Sequence, residues 1–67
     1  MEEIQPHPPA VMSIQQVAAF LGVSRQHVYK LIHNGGLPIV SLGRRVVVLR
    51  TSLEEWLLTQ QKTIKDL

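Results

Sequence analysis

Only Gly22 and Val23 separate one helical pattern from the serine that opens the next, and that short link constrains the fold more than any other feature of the chain. Upstream of it, Ile14, Val17, Ala18 and Leu21 recur at helical spacing and line up a single apolar face. Ser13 with Gln16 is a capping-box pattern at the start of this first helix, and Gly22 supplies its stop. Ser24 caps a second helix that runs from Arg25 to about His33, where Asn34-Gly35-Gly36 ends it. Val28, Leu31 and Ile32 form its buried face, and Val23 plugs the turn. Two short amphipathic helices with so little chain between them must cross and pack, which is the helix-turn-helix arrangement.

The rest of the chain builds around that pair. Pro38 opens an extended segment in which Ile39-Val40-Ser41 and Val46-Val47-Val48-Leu49 flank Leu42-Gly43-Arg44-Arg45, read as a four-residue hairpin loop with glycine where φ is positive. The hairpin is a wing with two arginines at or near its tip. If Val46 and Val48 face the core, Val47 and Leu49 face outward and leave an apolar strip on an edge strand. Ser52 and Glu55 form a second capping-box pattern. The helix behind it buries Leu53, Trp56 and Leu57, and Gln60, Ile64 and Leu67 continue the stripe if the helix runs on. Glu54 and Glu55 read as helix-start residues that suit the macrodipole, and Trp56 reads as the core anchor. Residues 1–12, with Pro6, Pro8 and Pro9 and no period, read as a disordered or extended arm. The expected organisation is therefore an arm (1–12), a winged helix-turn-helix domain (13–61) and a C-terminal tail (62–67), mainly α with a β-hairpin wing.

Sixty-seven residues make one small domain, whose core rarely supplies more than ~3–5 kcal/mol of net stability without a staple. The chain has no cysteine, so no disulfide, thiolate metal site or thiol nucleophile is available. Together with the lack of a long apolar run or a secretory h-region, this leads to the expectation of a cytoplasmic, nucleoid-associated protein without a membrane partner.

Charge is segregated. From Ser13 to Arg50 every charge has the same sign, carried by Arg25, Lys30, Arg44, Arg45 and Arg50, although the whole chain carries only +2. On a helical wheel the second helix places Gln26, Tyr29, Lys30 and His33 opposite its buried face, with Arg25 and His27 at the flanks. In a major groove Gln26 can pair with adenine and Arg25 or Lys30 with guanine, while Tyr29 or Ser24 can meet phosphate. Gly43, Arg44 and Arg45 form a second constellation, suited to phosphates or to a narrow minor groove. Each has an ordinary alternative: a solvated helix face for the first, a charged hairpin that blunts edge pairing for the second. The helix-turn-helix context favours duplex DNA for both. His7, His27 and His33 lack a cysteine or nearby carboxylate to complete a metal shell, and no base–nucleophile set or strand-linked glycine loop is present. No metal, cofactor or enzymatic activity is expected.

Ser13-Ile14-Gln15-Gln16-Val17-Ala18, Leu21-Gly22-Val23-Ser24-Arg25, Val28-Tyr29-Lys30-Leu31-Ile32, Gly36-Leu37-Pro38, Leu42-Gly43-Arg44-Arg45 and Ser52-Leu53-Glu54-Glu55-Trp56-Leu57 together resemble the excisionase family, small winged helix-turn-helix proteins similar to the DNA-binding domain of MerR-type regulators. The resemblance implies a non-enzymatic recombination directionality factor that binds adjacent sites at the end of a mobile element. It implies DNA bending and a bias of a tyrosine integrase toward excision. Residue by residue, Arg25, Gln26, Tyr29 and Lys30 match recognition-helix positions, and Gly43, Arg44 and Arg45 match the wing. The partners it implies are DNA, a tyrosine integrase and neighbouring copies of the chain. MerR-type activators append a dimerising coiled coil and an effector domain; neither is expected here, and no small-molecule effector with them. The rival readings are a small transcriptional regulator with the same fold and an antitoxin-like interaction module using the Val47 strip and the C-terminal stripe.

Overall fold

The computed structural model describes residues 9–63. In chain order these form β1 (Val11–Ser13), α1 (Ile14–Leu21), α2 (Arg25–Asn34), β2 (Val40–Leu42), β3 (Arg45–Leu49) and α3 (Arg50–Gln60). The first eight residues of the expected arm, and Ile64 and Leu67 of the expected C-terminal stripe, lie outside the described residues.

The two helices of the turn form as their local chemistry dictates. The Ser13 hydroxyl accepts from the Gln16 N–H at 3.1 Å, and the Gln16 side chain accepts from the Ser13 N–H at 2.8 Å, so the capping box is closed in both directions. At the other end Gly22 adopts φ 73°, its N–H reaches Ala19 O, and the Val23 N–H reaches Ala18 O at 3.0 Å. That pair of bonds is a Schellman motif. Its left-handed residue is one that a side chain would strain, which is why glycine stands there. The Ser24 hydroxyl then accepts from the His27 N–H at 3.0 Å and opens α2. Val17, Ala18 and Val28 are buried where α1 and α2 meet, with Leu21, Val23, Leu31 and Ile32 packed around them.

The sheet departs from the sequence expectation in three linked ways. First, Val11 and Met12 belong to a strand, not to an arm: β1 pairs antiparallel with β3, Met12 opposite Val48, and Met12 is only 1% exposed. Second, β3 is consequently the central strand of the order β1-β3-β2 and has no free edge. Val47 lies between Ser13 and Val40 and is buried to 1%, whereas Leu49, opposite Val11, stays exposed as expected. The anticipated strip on an edge strand does not exist. Third, β3 passes into α3 without a loop. The helix begins at Arg50, whose N–H donates to Ala10 O at 2.9 Å, and Leu49 at the N-cap contributes no side-chain bond. Ser52 and Glu55 thus sit inside the helix and form no capping box, and Glu54 and Glu55 lie beyond its first turn. The helix starts earlier than the signature implies, its first N–H held by the carbonyl of Ala10 beside β1, so Ser52 comes too late in the helix to cap it.

The wing turn is also tighter than expected. Leu42 pairs with Arg45, so the loop is Gly43-Arg44 alone. Gly43 has φ 62° and no described non-glycine residue has positive φ, which fits a type II′ hairpin turn.

Beneath α1, α2 and the sheet, Met12, Ile14, Val17, Val28, Leu37, Val48, Leu53 and Trp56 make one core. Trp56 is 9% exposed, and its indole N–H donates to Gly35 O at 2.8 Å, tying α3 to the end of α2. A Cβ on Gly35 would lie 2.9 Å from Leu31 O, so only glycine lets the chain turn that closely there. Three helices and a three-stranded antiparallel sheet in this order are a small winged helix-turn-helix domain.

Candidate nucleic-acid interface

In α2 the side chains sort by helical period. Val28 is fully buried and Leu31 and Ile32 pack against the core, while Arg25, Gln26, His27, Tyr29 and Lys30 are exposed. Tyr29 is 46% exposed despite its size, a position that leaves both ring and hydroxyl available to a partner. The Ser24 cap fixes where this exposed face begins, because the bond from His27 N–H holds the first turn in place.

Ser24, Gln26, His27 and Lys30 line one shallow concavity of about 250 Å³ at the start of α2. The concavity combines a hydroxyl, an amide, an imidazole and an ammonium. These groups offer donors for phosphate and a bidentate amide for a base edge. Arg25 and Tyr29 flank it and do not line it.

Gly43, Arg44 and Arg45 are all exposed on the wing, but they do not form a single tip. Arg44 occupies the turn, whereas Arg45 is the first residue of β3, in register with Leu42. The fifth cation of the acid-free stretch, Arg50, is half-buried at the start of α3 and belongs to neither surface. No acidic residue falls between Ser13 and Arg50, so no carboxylate of that stretch competes for the four exposed cations. Among the described residues, no hydrogen bond or ion pair engages the side chains of Arg25, Gln26, His27, Tyr29, Lys30, Arg44 or Arg45.

Two histidines of the sequence, His27 and His33, are exposed on α2. No group of three or more His, Cys, Asp or Glu side chains that could hold a metal occurs among the described residues. No described helix is long and apolar enough to cross a membrane.

Comparison with known proteins agrees with this geometry. Residues 11–61 match the model of a helix-turn-helix domain family, a span that begins at β1 and ends one residue beyond α3. Two relatives, one from each of two strains of Mycobacterium tuberculosis, are provisionally named DNA-binding proteins. Each is 39% identical over 49 residues, covering 73% of this chain and 63% of the relative. The chain therefore spans somewhat less than two thirds of the length of these relatives. No solved structure matches. The chain belongs to the helix-turn-helix domain family, and it is a DNA-binding domain of the winged type.

Proposed function

We propose that the protein binds duplex DNA sequence-specifically, with α2 in the major groove and the Gly43-Arg44 turn on the backbone or in the adjacent minor groove. The observation that carries this reading is the set of seven exposed side chains, on α2 and the wing, that no partner among the described residues engages. Two arginine-bearing elements without an ion pair among the described residues, in a stretch without one acid, suit an external polyanion. In this assignment Gln26 reads a base edge and Arg25 or Lys30 a guanine. Ser24, His27 and Tyr29 contact phosphate, and Arg44 and Arg45 hold the flanking backbone.

Within that class the role is that of an excisionase: an architectural factor that bends DNA at the ends of a mobile element and biases a tyrosine integrase toward excision. The motif order from Ser13 to Leu57 supports this reading. Fluorescence anisotropy over a salt series tests the DNA-binding step. Four exposed cations give a slope of log affinity against log salt of about −3 to −4, and a slope near zero would end the proposal. In the same assay Gln26→Ala costs ~1–3 kcal/mol on the cognate site and little on random DNA. An excision assay with the cognate integrase separates the roles. Site-specific binding without any effect on excision would place the protein among transcription regulators instead.

A further inference from the structure

A second concavity, of about 360 Å³, lies at the opposite end of α2 from the Ser24–Lys30 face, between Gly35, Gly36 and Pro38 on one side and α3 on the other. Along the helix axis, Lys30 at the near edge of the first site and Gly35 at the edge of the second are about 7–8 Å apart, and Ser24 lies about 16 Å from Gly35. Their chemistry is opposite. Among the described residues no lysine or arginine lines the second crevice, and the charged group there is the exposed carboxylate of Glu55.

The polar groups around it are committed in a particular sense. The Thr59 hydroxyl donates to Trp56 O at 2.6 Å, and the Gln60 amide nitrogen donates to the Thr59 hydroxyl at 3.1 Å. The Trp56 indole N–H is spent on Gly35 O. Among the described residues the Thr59 hydroxyl, the indole N–H and one of the two Gln60 N–H groups are thus used internally, while the Glu55 carboxylate, the Gln60 side-chain oxygen and the Ser52 hydroxyl oxygen are available as acceptors. Trp56 and Pro38 supply apolar walls beside them. Acceptors, and a carboxylate without an ion pair among the described residues, next to an indole select a planar cation rich in donors. A guanidinium supplies both the fork that meets a carboxylate and the face that lies against an aromatic ring.

We propose that this crevice is a docking site for an arginine side chain carried on an extended segment of a partner protein. The charge complementarity of Glu55 commits the site to a basic partner, and its position keeps that partner off the DNA-facing half of α2. Because Gly35 and Trp56 both line the crevice and are bonded to each other, the occupant rests on the contact that fixes the end of α2 to α3.

Trp56 is the one tryptophan of the chain, so all indole emission comes from the residue that walls this crevice. The blocked pentapeptide Ala-Gly-Arg-Gly-Ala is titrated into the full chain without DNA, while indole emission and amide chemical shifts are followed. The expected result is a saturable change with shifts at Gly35, Gly36, Gln60 and the Trp56 indole, and none at Gln26 or Lys30. Glu55→Gln, an exposed substitution, weakens the association about tenfold, while Glu54→Gln leaves it unchanged. Failure to saturate, equal affinity in Glu55→Gln, or shifts confined to the start of α2 would overturn the proposal. Equal saturation by free arginine would also overturn it, by assigning the crevice to a small guanidinium compound.

Discussion

The starts of α2 and α3 solve the same problem by different means. At α2 the cap is a side chain three residues away: the Ser24 hydroxyl takes the His27 N–H. At α3 the side-chain cap is absent, and the first N–H is held by Ala10 O, from the far end of the chain. One helix carries its own start signal; the other exists where it does because β1 has already paired with β3. The helix-turn-helix is therefore a local object, and the sheet with α3 is a tertiary one. The difference predicts which substitutions are felt only nearby and which are felt everywhere.

The sharpest way to break this contrast is Met12→Ala. Were the chain before Ser13 a loose arm, the substitution would be silent. Because Met12 is buried opposite Val48, it should instead cost ~2–5 kcal/mol, comparable to the whole net stability expected of so small a core. Urea unfolding followed by circular dichroism measures it, and a loss below about 0.5 kcal/mol, the range of ordinary surface changes, would return β1 to decoration. Next in size is Gly35→Ala. The end of α2 belongs to the tertiary class because the Gly35 carbonyl itself holds Trp56, and a Cβ there would meet Leu31 O at 2.9 Å and disturb that turn. A loss of ~1–3 kcal/mol is expected, together with a shift in Trp56 emission. An unchanged spectrum would show that the α2–α3 tie does not depend on the close turn. The smallest effect is a paired one. Ser24→Ala should lower the thermal midpoint by the equivalent of ~0.5–2 kcal/mol, whereas Ser52→Ala should stay within about ±0.5 kcal/mol. Equal losses would erase the distinction between the two helix starts.

The same contrast explains what could be read in the amino-acid sequence. Ser13 with Gln16, Gly22, and Ser24 before Val28 are signals whose donors and acceptors lie within one turn, so α1, α2 and their junction were legible residue by residue. The exposed set on α2 was legible for the same reason, since helical period alone separates Tyr29 and Lys30 from Val28. Val11-Met12-Ser13 offered nothing comparable: three residues after a proline-rich stretch have a strand's identity only when β3 lies beside them. Val47 was misplaced through that omission, because its burial depends on having strands on both sides. Ser52 with Glu55 matched a cap signature and was overruled by a backbone carbonyl from outside its own segment. The crevice at Glu55 left no sequence signal, since Gly36, Pro38 and Gln60 meet only in the folded chain.

The direct passage from Leu49 to Arg50 has a mechanical consequence. A strand that becomes a helix with no intervening residue contains no slack, and three residues of β1 clamp it from the side. The wing therefore cannot swing on a hinge of its own. Between Arg45 and the first turn of α3 there is no loop in which a displacement of Arg44 could be taken up. Continuity of this kind favours transmission of load from the wing to α3 over absorption at a joint.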